Sequence, residues 1–248
     1  PCLDAVYKEL LRYEKVANRR EPLTMEMVQA LHQRNVREGL PPFHQNVQLY
    51  HWQVVGLALG LRRIEWCQEA SSNGSRPDLS RPQIDERDNL PRAFLPDDIE
   101  CFSHTGSYIS PLEAAFAPSN VATCLVTWRF QKNGENGEKK KITRSSSSTI
   151  NPPSAHCRIE SLMAILRCRF SLVDPSAPVP LAVFQSAPNT AAYLTNWDAT
   201  GMLRSLAAEV YNLDPSNSRD MICLKRWSCH SIRVGTCVLL HGMGFSST

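Results

Sequence analysis

The sequence predicts an α+β fold, mainly α, with one small antiparallel β-sheet built around a hairpin. Three observations predict it. Apolar residues recur at helical spacing along most of the chain, as in LDAVYKELLRYEKVAN (3–18) and HCRIESLMAILRCRF (156–170). One segment, NVATCLVTWRFQ (120–131), alternates at period two instead, with Thr123, Leu125, Thr127 and Arg129 opposite Cys124, Val126, Trp128 and Phe130. The turn KNGENG (132–137) and the strand-like EKKKITR (138–144) follow it, and Asn-Gly pairs favour the backbone twist of a hairpin.

Each element has a local cause. Leu3, Val6, Tyr7, Leu10 and Leu11 give the first helix its apolar stripe. Pro22 interrupts the pattern, and Thr24 can cap a second helix over 25–35. GLPPF (39–43) reads as a loop. Residues 45–59 are apolar on most sides, which predicts a buried helix ended by Gly60, and 61–70 reads as a further helix. Residues 71–96 are rich in Ser, Asn, Arg and Pro without periodicity, so they form a surface loop or insertion. DDIECFSH and SPLEAAFAP are short elements whose type stays open. Beyond the hairpin, SSSSTINPPS (145–154) is a flexible joint. Ile159, Leu162, Met163, Leu166 and Phe170 then restore helical spacing, and LAVF (181–184) reads as a short strand. Thr195 or Asn196 caps a helix with Asp198 in its first turn, and the last helix covers about 229–241.

A chain of 248 residues can bury a sizeable core as one large domain or two small ones. The net charge of +3 is too small to name a partner, so any role for charge must be local. Nine cysteines, scattered without a CxxC pair, do not suit a secreted disulfide scaffold or a clustered zinc site. The expectation is reduced thiols in an intracellular protein that binds no metal. No apolar run approaches the ~20 residues of a membrane helix, and no signal-peptide core opens the sequence. A start at Pro1 reads as a fragment or a processed end.

Three constellations can carry chemistry. His230 and Arg233 stand three apart on a helix and share a face, so an imidazole and a guanidinium can reach one anion together. The plain alternative is a solvated helix face. Arg62 opens a helix after Gly60, with Glu65 three residues on, and a cation beside helix-start N–H groups suits an anion. Arg63 competes with Arg62 for that role, and a surface ion pair is the alternative for both. Around the hairpin, Arg129, Lys132, Lys139, Lys140, Lys141 and Arg144 outnumber Glu135 and Glu138. A basic hairpin can touch a DNA backbone, although edge-strand lysines also serve to block aggregation.

In order along the chain, Gly-x-Arg-x-x-Glu, a hairpin lysine and His-x-x-Arg resemble the catalytic domain of the tyrosine recombinases, the phage-integrase-type enzymes. LALGLRRIEW is similar to their first arginine box, which aligns Arg62 with the catalytic arginine and Glu65 with its supporting acid. TWRFQKNGENGEKKK is similar to the hairpin that carries the catalytic lysine, here Lys132, and CHSIRVG to the second box, with His230 and Arg233. The wording is most similar to the eukaryotic mobile-element branch, over residues 22–248.

The resemblance implies a tyrosine-recombinase-like catalytic domain over 21–248, C-terminally incomplete, with 1–20 as a remnant helix or linker from a missing N-terminal DNA-binding domain. It implies DNA recombination and integration. A tyrosine attacks a phosphodiester to give a 3′-phosphotyrosyl link, the two arginines neutralise the phosphoryl oxygens, and the lysine protonates the leaving 5′ oxygen. The histidine assists proton transfer, and neither metal nor cofactor is required. The implied partner is double-stranded DNA, bound by a homo-tetramer in the nucleus, with Arg129, Lys139, Lys140 and Lys141 on the DNA backbone. The family's tyrosine follows the second box, whereas Tyr7, Tyr13, Tyr50, Tyr108, Tyr193 and Tyr211 all precede it. The rival readings are a non-catalytic DNA-binding remnant of a mobile element and a small-phosphoester enzyme.

This sequence is therefore expected to bind the DNA backbone and form no covalent adduct with it. Incubation with a nicked suicide duplex should leave no SDS-resistant protein–DNA band, and the appearance of one would overturn the expectation.

Overall fold

The computed structural model describes residues 20–84, 89–129, 137–144 and 156–244. The first described helix, α1 (Met25–Arg37), starts where Thr24 accepts the backbone N–H of Met27. Helix α2 (Gln45–Leu59) has no polar face, and ten of its residues are buried. Gly60 ends it in the left-handed region (φ 70°, ψ 39°), where only glycine avoids a Cβ penalty. Helix α3 (Arg63–Trp66) follows, anchored to α2 by Trp66, which stacks on Trp52 at 5.2 Å.

The middle of the chain is the sheet. Strand β1 (Ile99–Ser103) pairs with β2 (Tyr108–Ile109), helix α4 (Pro111–Phe116) intervenes, and β3 (Val121–Trp128) pairs with β4 (Glu138–Thr143). The antiparallel order is β2-β1-β3-β4. Val121, Cys124, Val126 and Trp128 of β3 are buried. Helix α5 (Arg158–Leu172) then packs on α2 and α4. A two-stranded ribbon, β5 (Val183–Ala187) and β6 (Thr190–Tyr193), leads into α6 (Asn196–Val210), α7 (Ser218–Leu224) and α8 (His230–Gly242). Helices α1, α5 and α8 cover α2, and one buried cluster runs from Leu23 to Ile232. The fold is thus mixed and mainly helical, with 46% of the described residues in helices.

Three expectations change. The helix expected over 61–70 stops at Trp66, because Cys67 is extended (φ −105°, ψ 153°) and Gln68 bonds a neighbouring segment. The Gln68 N–H donates to the Leu194 carbonyl at 3.1 Å, and the Gln68 carbonyl accepts from Asn196 at 3.0 Å. Its backbone groups are satisfied across the chain, so a helix offers them nothing. The sheet is wider than one hairpin, since DDIECFSH supplies β1, and a separate ribbon forms from LAVF. Helix α7 is additional, capped by Asn217, whose side chain accepts the N–H groups of Arg219 and Asp220. The helix expected over 3–18, the turn over 132–136 and the joint at 145–154 lie outside the described residues.

A histidine–tyrosine group lies between α1, α2 and α5. His51 bonds Ser161 Oγ at 3.2 Å, Tyr50 Oη bonds His156 Nδ1 at 3.1 Å, and the His32 ring lies 5.1 Å from that of Tyr50. Burial first, then the charges of His32 and Arg167, lower the His51 pKa to about 4, whereas burial raises Tyr50 to about 12. His51 is therefore neutral in the fold, while the unfolded chain takes up a proton below pH ~6.5. Stability is present in full above that pH and is lost as pH falls toward about 4. Urea unfolding at pH 7.5 and 4.5 should show a loss on the order of 2 kcal/mol from this group. His51→Gln should flatten the pH dependence; an unchanged slope would refute the assignment.

Candidate functional site

The left-handed turn at Gly60 brings the chain out of the core, and Leu61 is buried beyond it. Arg62 is the extended N-cap residue of α3 and Glu65 its third residue. The Arg62 backbone N–H donates to Glu65 Oε2 at 2.6 Å, and its guanidinium Nη1 to Oε1 at 3.4 Å. Glu65 is 4% exposed, so its carboxylate holds Arg62 from inside the fold. Trp128, the last residue of β3, stands beside it. Burial raises the Glu65 pKa, and the backbone bond from Arg62, the Trp128 indole and the charges of Arg62 and Arg233 oppose the shift.

The second half of the site begins α8. The Leu23 N–H donates to the Ser231 carbonyl at 2.9 Å, Ile232 is buried against α2, and Thr236 Oγ1 donates to the Gly56 carbonyl at 3.3 Å. A Cβ at Gly56 would lie 2.6 Å from Ile232 Cγ2, and one at Gly235 would strike the Leu23 carbonyl oxygen. Backbones approach here at a distance that only glycine allows. With Ser231, Ile232, Gly235 and Thr236 turned inward, His230 and Arg233 are left on the outer side.

The two halves meet. Arg62, Arg63, Ile64, His230 and Arg233 line one open recess of about 380 Å³. Three guanidiniums and an imidazole therefore face one volume, and no carboxylate lines it among the described residues. Burial first, then the charges of Arg233 and Arg20, lower the His230 pKa, so the ring stays neutral at neutral pH. A neutral imidazole can accept a proton, whereas guanidiniums beside it stay charged and bind an anion's oxygens in pairs. The choice between Arg62 and Arg63 also has a structural content. Glu65 fixes Arg62, whereas Arg63 pairs with exposed Glu69 at 3.0 Å.

The described hairpin residues do not join this recess. Arg129 is taken up by the fold: its Nε donates to buried Asp98 at 2.5 Å and its Nη2 to the Ala93 carbonyl at 3.0 Å. Its charge faces a buried carboxylate. Lys139 pairs with Glu100, and Lys140 lies 5.0 Å over the Trp128 ring. The register puts Lys139 and Lys141 opposite Thr127 and Leu125, and Lys140 opposite Val126, so the three lysines do not share one face. Lys132 lies outside the described residues.

The described tyrosines are placed elsewhere. Tyr50 bonds His156, Tyr193 donates to the Leu79 carbonyl at 2.9 Å, and Tyr211 stacks on Trp227 at 5.5 Å. Tyr108 is exposed on β2, and Tyr7 and Tyr13 lie outside the described residues. Among the described residues there is no cluster of three His, Cys, Asp or Glu that could hold a metal, and no helix is long and apolar enough to cross a membrane. Sequence reasoning missed Trp128 and Arg20. The alternation of β3 marks Trp128 as inward-facing, but only the folded chain shows that it meets Glu65.

No protein-family model, curated protein or solved structure matches this chain.

The seat of α8 can be tested. A methyl group at position 235 meets the Leu23 carbonyl and Leu57, whereas at Gly242 it meets nothing within 4 Å. Gly235→Ala should lower unfolding stability by about 2 kcal/mol or more. Gly242→Ala, on the same helix, should stay within about 0.5 kcal/mol. Equal effects of the two would remove the close approach as the cause.

Proposed function

We propose that the recess between α3 and α8 binds a phosphodiester of double-stranded DNA, within a catalytic domain of the tyrosine-recombinase type over 21–248. The observation that carries the reading is the meeting of Arg62, Glu65, His230 and Arg233, drawn from opposite ends of the described chain. Phosphoryl transfer asks a protein chiefly for positioned charge around the equatorial oxygens. Arg62 and Arg233 supply it, Glu65 orients Arg62, and the neutral His230 ring can take or return a proton. Lys132 is assigned to the leaving 5′ oxygen. The closeness of Trp128 to Glu65 supports that assignment, because it brings the root of the hairpin to the arginine.

In this reading the protein works on DNA in the nucleus, as a homo-tetramer, in recombination or integration of a mobile element. A non-catalytic DNA-binding role is the second reading. It is favoured by one observation: no tyrosine among the described residues lines the recess.

Both readings require a polyanion, and a small-phosphoester enzyme does not. Affinity for a short duplex should fall steeply with salt, because each neutralised phosphate releases condensed counterions. Arg233→Gln should weaken binding across sequences and reduce the log–log salt slope by about one. A flat salt dependence, or an Arg233→Gln variant that binds like the wild type, would reject the phosphodiester site.

A further inference from the structure

Beyond His230 the recess continues. Arg63 and His230 also border a second hollow of about 310 Å³ that contains Arg20 and Ser228. Arg20, Thr200 and Ser228 are shared in turn with a third, of about 420 Å³, walled by Trp197, Gly201 and Arg204. Shared lining residues thus link the three hollows from Arg62 and Arg233 to the start of α6 into a groove, and none of the described residues lining them is acidic.

Trp197 is the unusual member. It is 57% exposed, whereas Trp52, Trp66, Trp128 and Trp227 are buried. Leaving an indole in water forgoes a large burial gain, so an exposed one in a basic groove points to a ligand that covers it. The ring is also held. Gly74 lies against it, where a Cβ would be 3.7 Å from its six-membered ring. The turn Ser71–Ser75 is closed by its own hydrogen bonds, with Gly74 N–H donating to Ser71 at 2.8 Å and Ser71 N–H to Ser75 at 3.0 Å. The next residue, Arg76, pairs with Asp198, the residue after Trp197. The surface insertion thus borders the indole, which also lines the groove.

We propose that this groove takes a nucleic-acid strand whose phosphates follow Arg233, Arg20 and Arg204 and whose unpaired base stacks on Trp197. The substrate class is then a duplex with an unpaired flank, as at a nick, an end or a branch point. Charge alone would suit any polyanion. The aromatic platform, set among the arginines, selects one with π faces, because base stacking on an aromatic side chain is tolerant of sequence and strong. The proposal rests on the phosphodiester reading of the Arg62–Arg233 recess and adds the flank.

Fluorescence anisotropy at fixed salt can separate the two. The probes are a blunt duplex, the same duplex with an unpaired thymine overhang, and a peptide of equal charge made of phosphoserine and aspartate. Wild type should bind the overhang duplex roughly tenfold more tightly than the blunt one. Trp197→Ala should remove that advantage and leave blunt-duplex affinity unchanged, and Trp197→Phe should restore most of it. Trp197 is exposed, so an unchanged melting temperature certifies the variants. Equal affinity of wild type for both duplexes, or equal weakening of both by Trp197→Ala, would overturn the stacking proposal while leaving the phosphodiester site intact. Failure to bind either duplex, or tighter binding of the peptide, would overturn both.

Discussion

Helix α8 can lie on α2 only because glycine stands at the places where the two approach, and the recess depends on that contact. At Gly56 the methyl of Ile232 occupies the space a side chain would need, and at Gly235 the Leu23 carbonyl does so. Thr236 closes the seat by donating to the Gly56 carbonyl. The rotation of α8 about its axis follows, since one face is fixed by close packing and the opposite face must meet solvent. His230 and Arg233 are on that opposite face by consequence. Their direction is a packing result before it is a chemical one.

The electrostatics builds on the same frame. A buried carboxylate without partners would be neutral, but Glu65 has the Arg62 N–H, the Arg62 guanidinium and Trp128 around it, with Arg233 nearby. One inward acid thus restrains one outward cation and joins α3 to the end of β3. Around it the recess gathers positive charge locally, although the whole chain carries only +3. Lys139, Lys140 and Lys141, the one run of three consecutive basic residues in the sequence, are spread over two faces, and two of them are engaged by Glu100 and Trp128. Clustering in sequence and clustering in space are different quantities here.

Much of the fold was legible because its signals are local. Thr24, Gly60 and the Thr195–Asp198 capping box mark helix ends through hydrogen bonds that span three or four residues. The alternation of β3 is readable for the same reason. What was not legible was set by distant partners: Gln68 leaves the helical pattern to bond Leu194 and Asn196, and Arg129 pairs with Asp98. No window of neighbouring residues contains either partner. The fully buried Arg169 is another case, since it donates to the carbonyls of Val173, Asp174, Ala177 and Val179 while lying in an apolar-patterned helix.

By itself the sequence determined the longer helices and several of their caps, the paired strands of the hairpin, the burial of α2 and the residue types able to grip a phosphate. It could name Arg62, Glu65, His230 and Arg233 as candidates, because their spacing places each pair on one helix end or face. Only the tertiary structure decided that the two pairs share one recess, that Trp128 completes the hold on Glu65, and that Arg20 and Trp197 extend the groove. The reason is range. Caps and periodicity act within a few residues of the chain, whereas a recess is made by surfaces that close packing brings together from its distant parts.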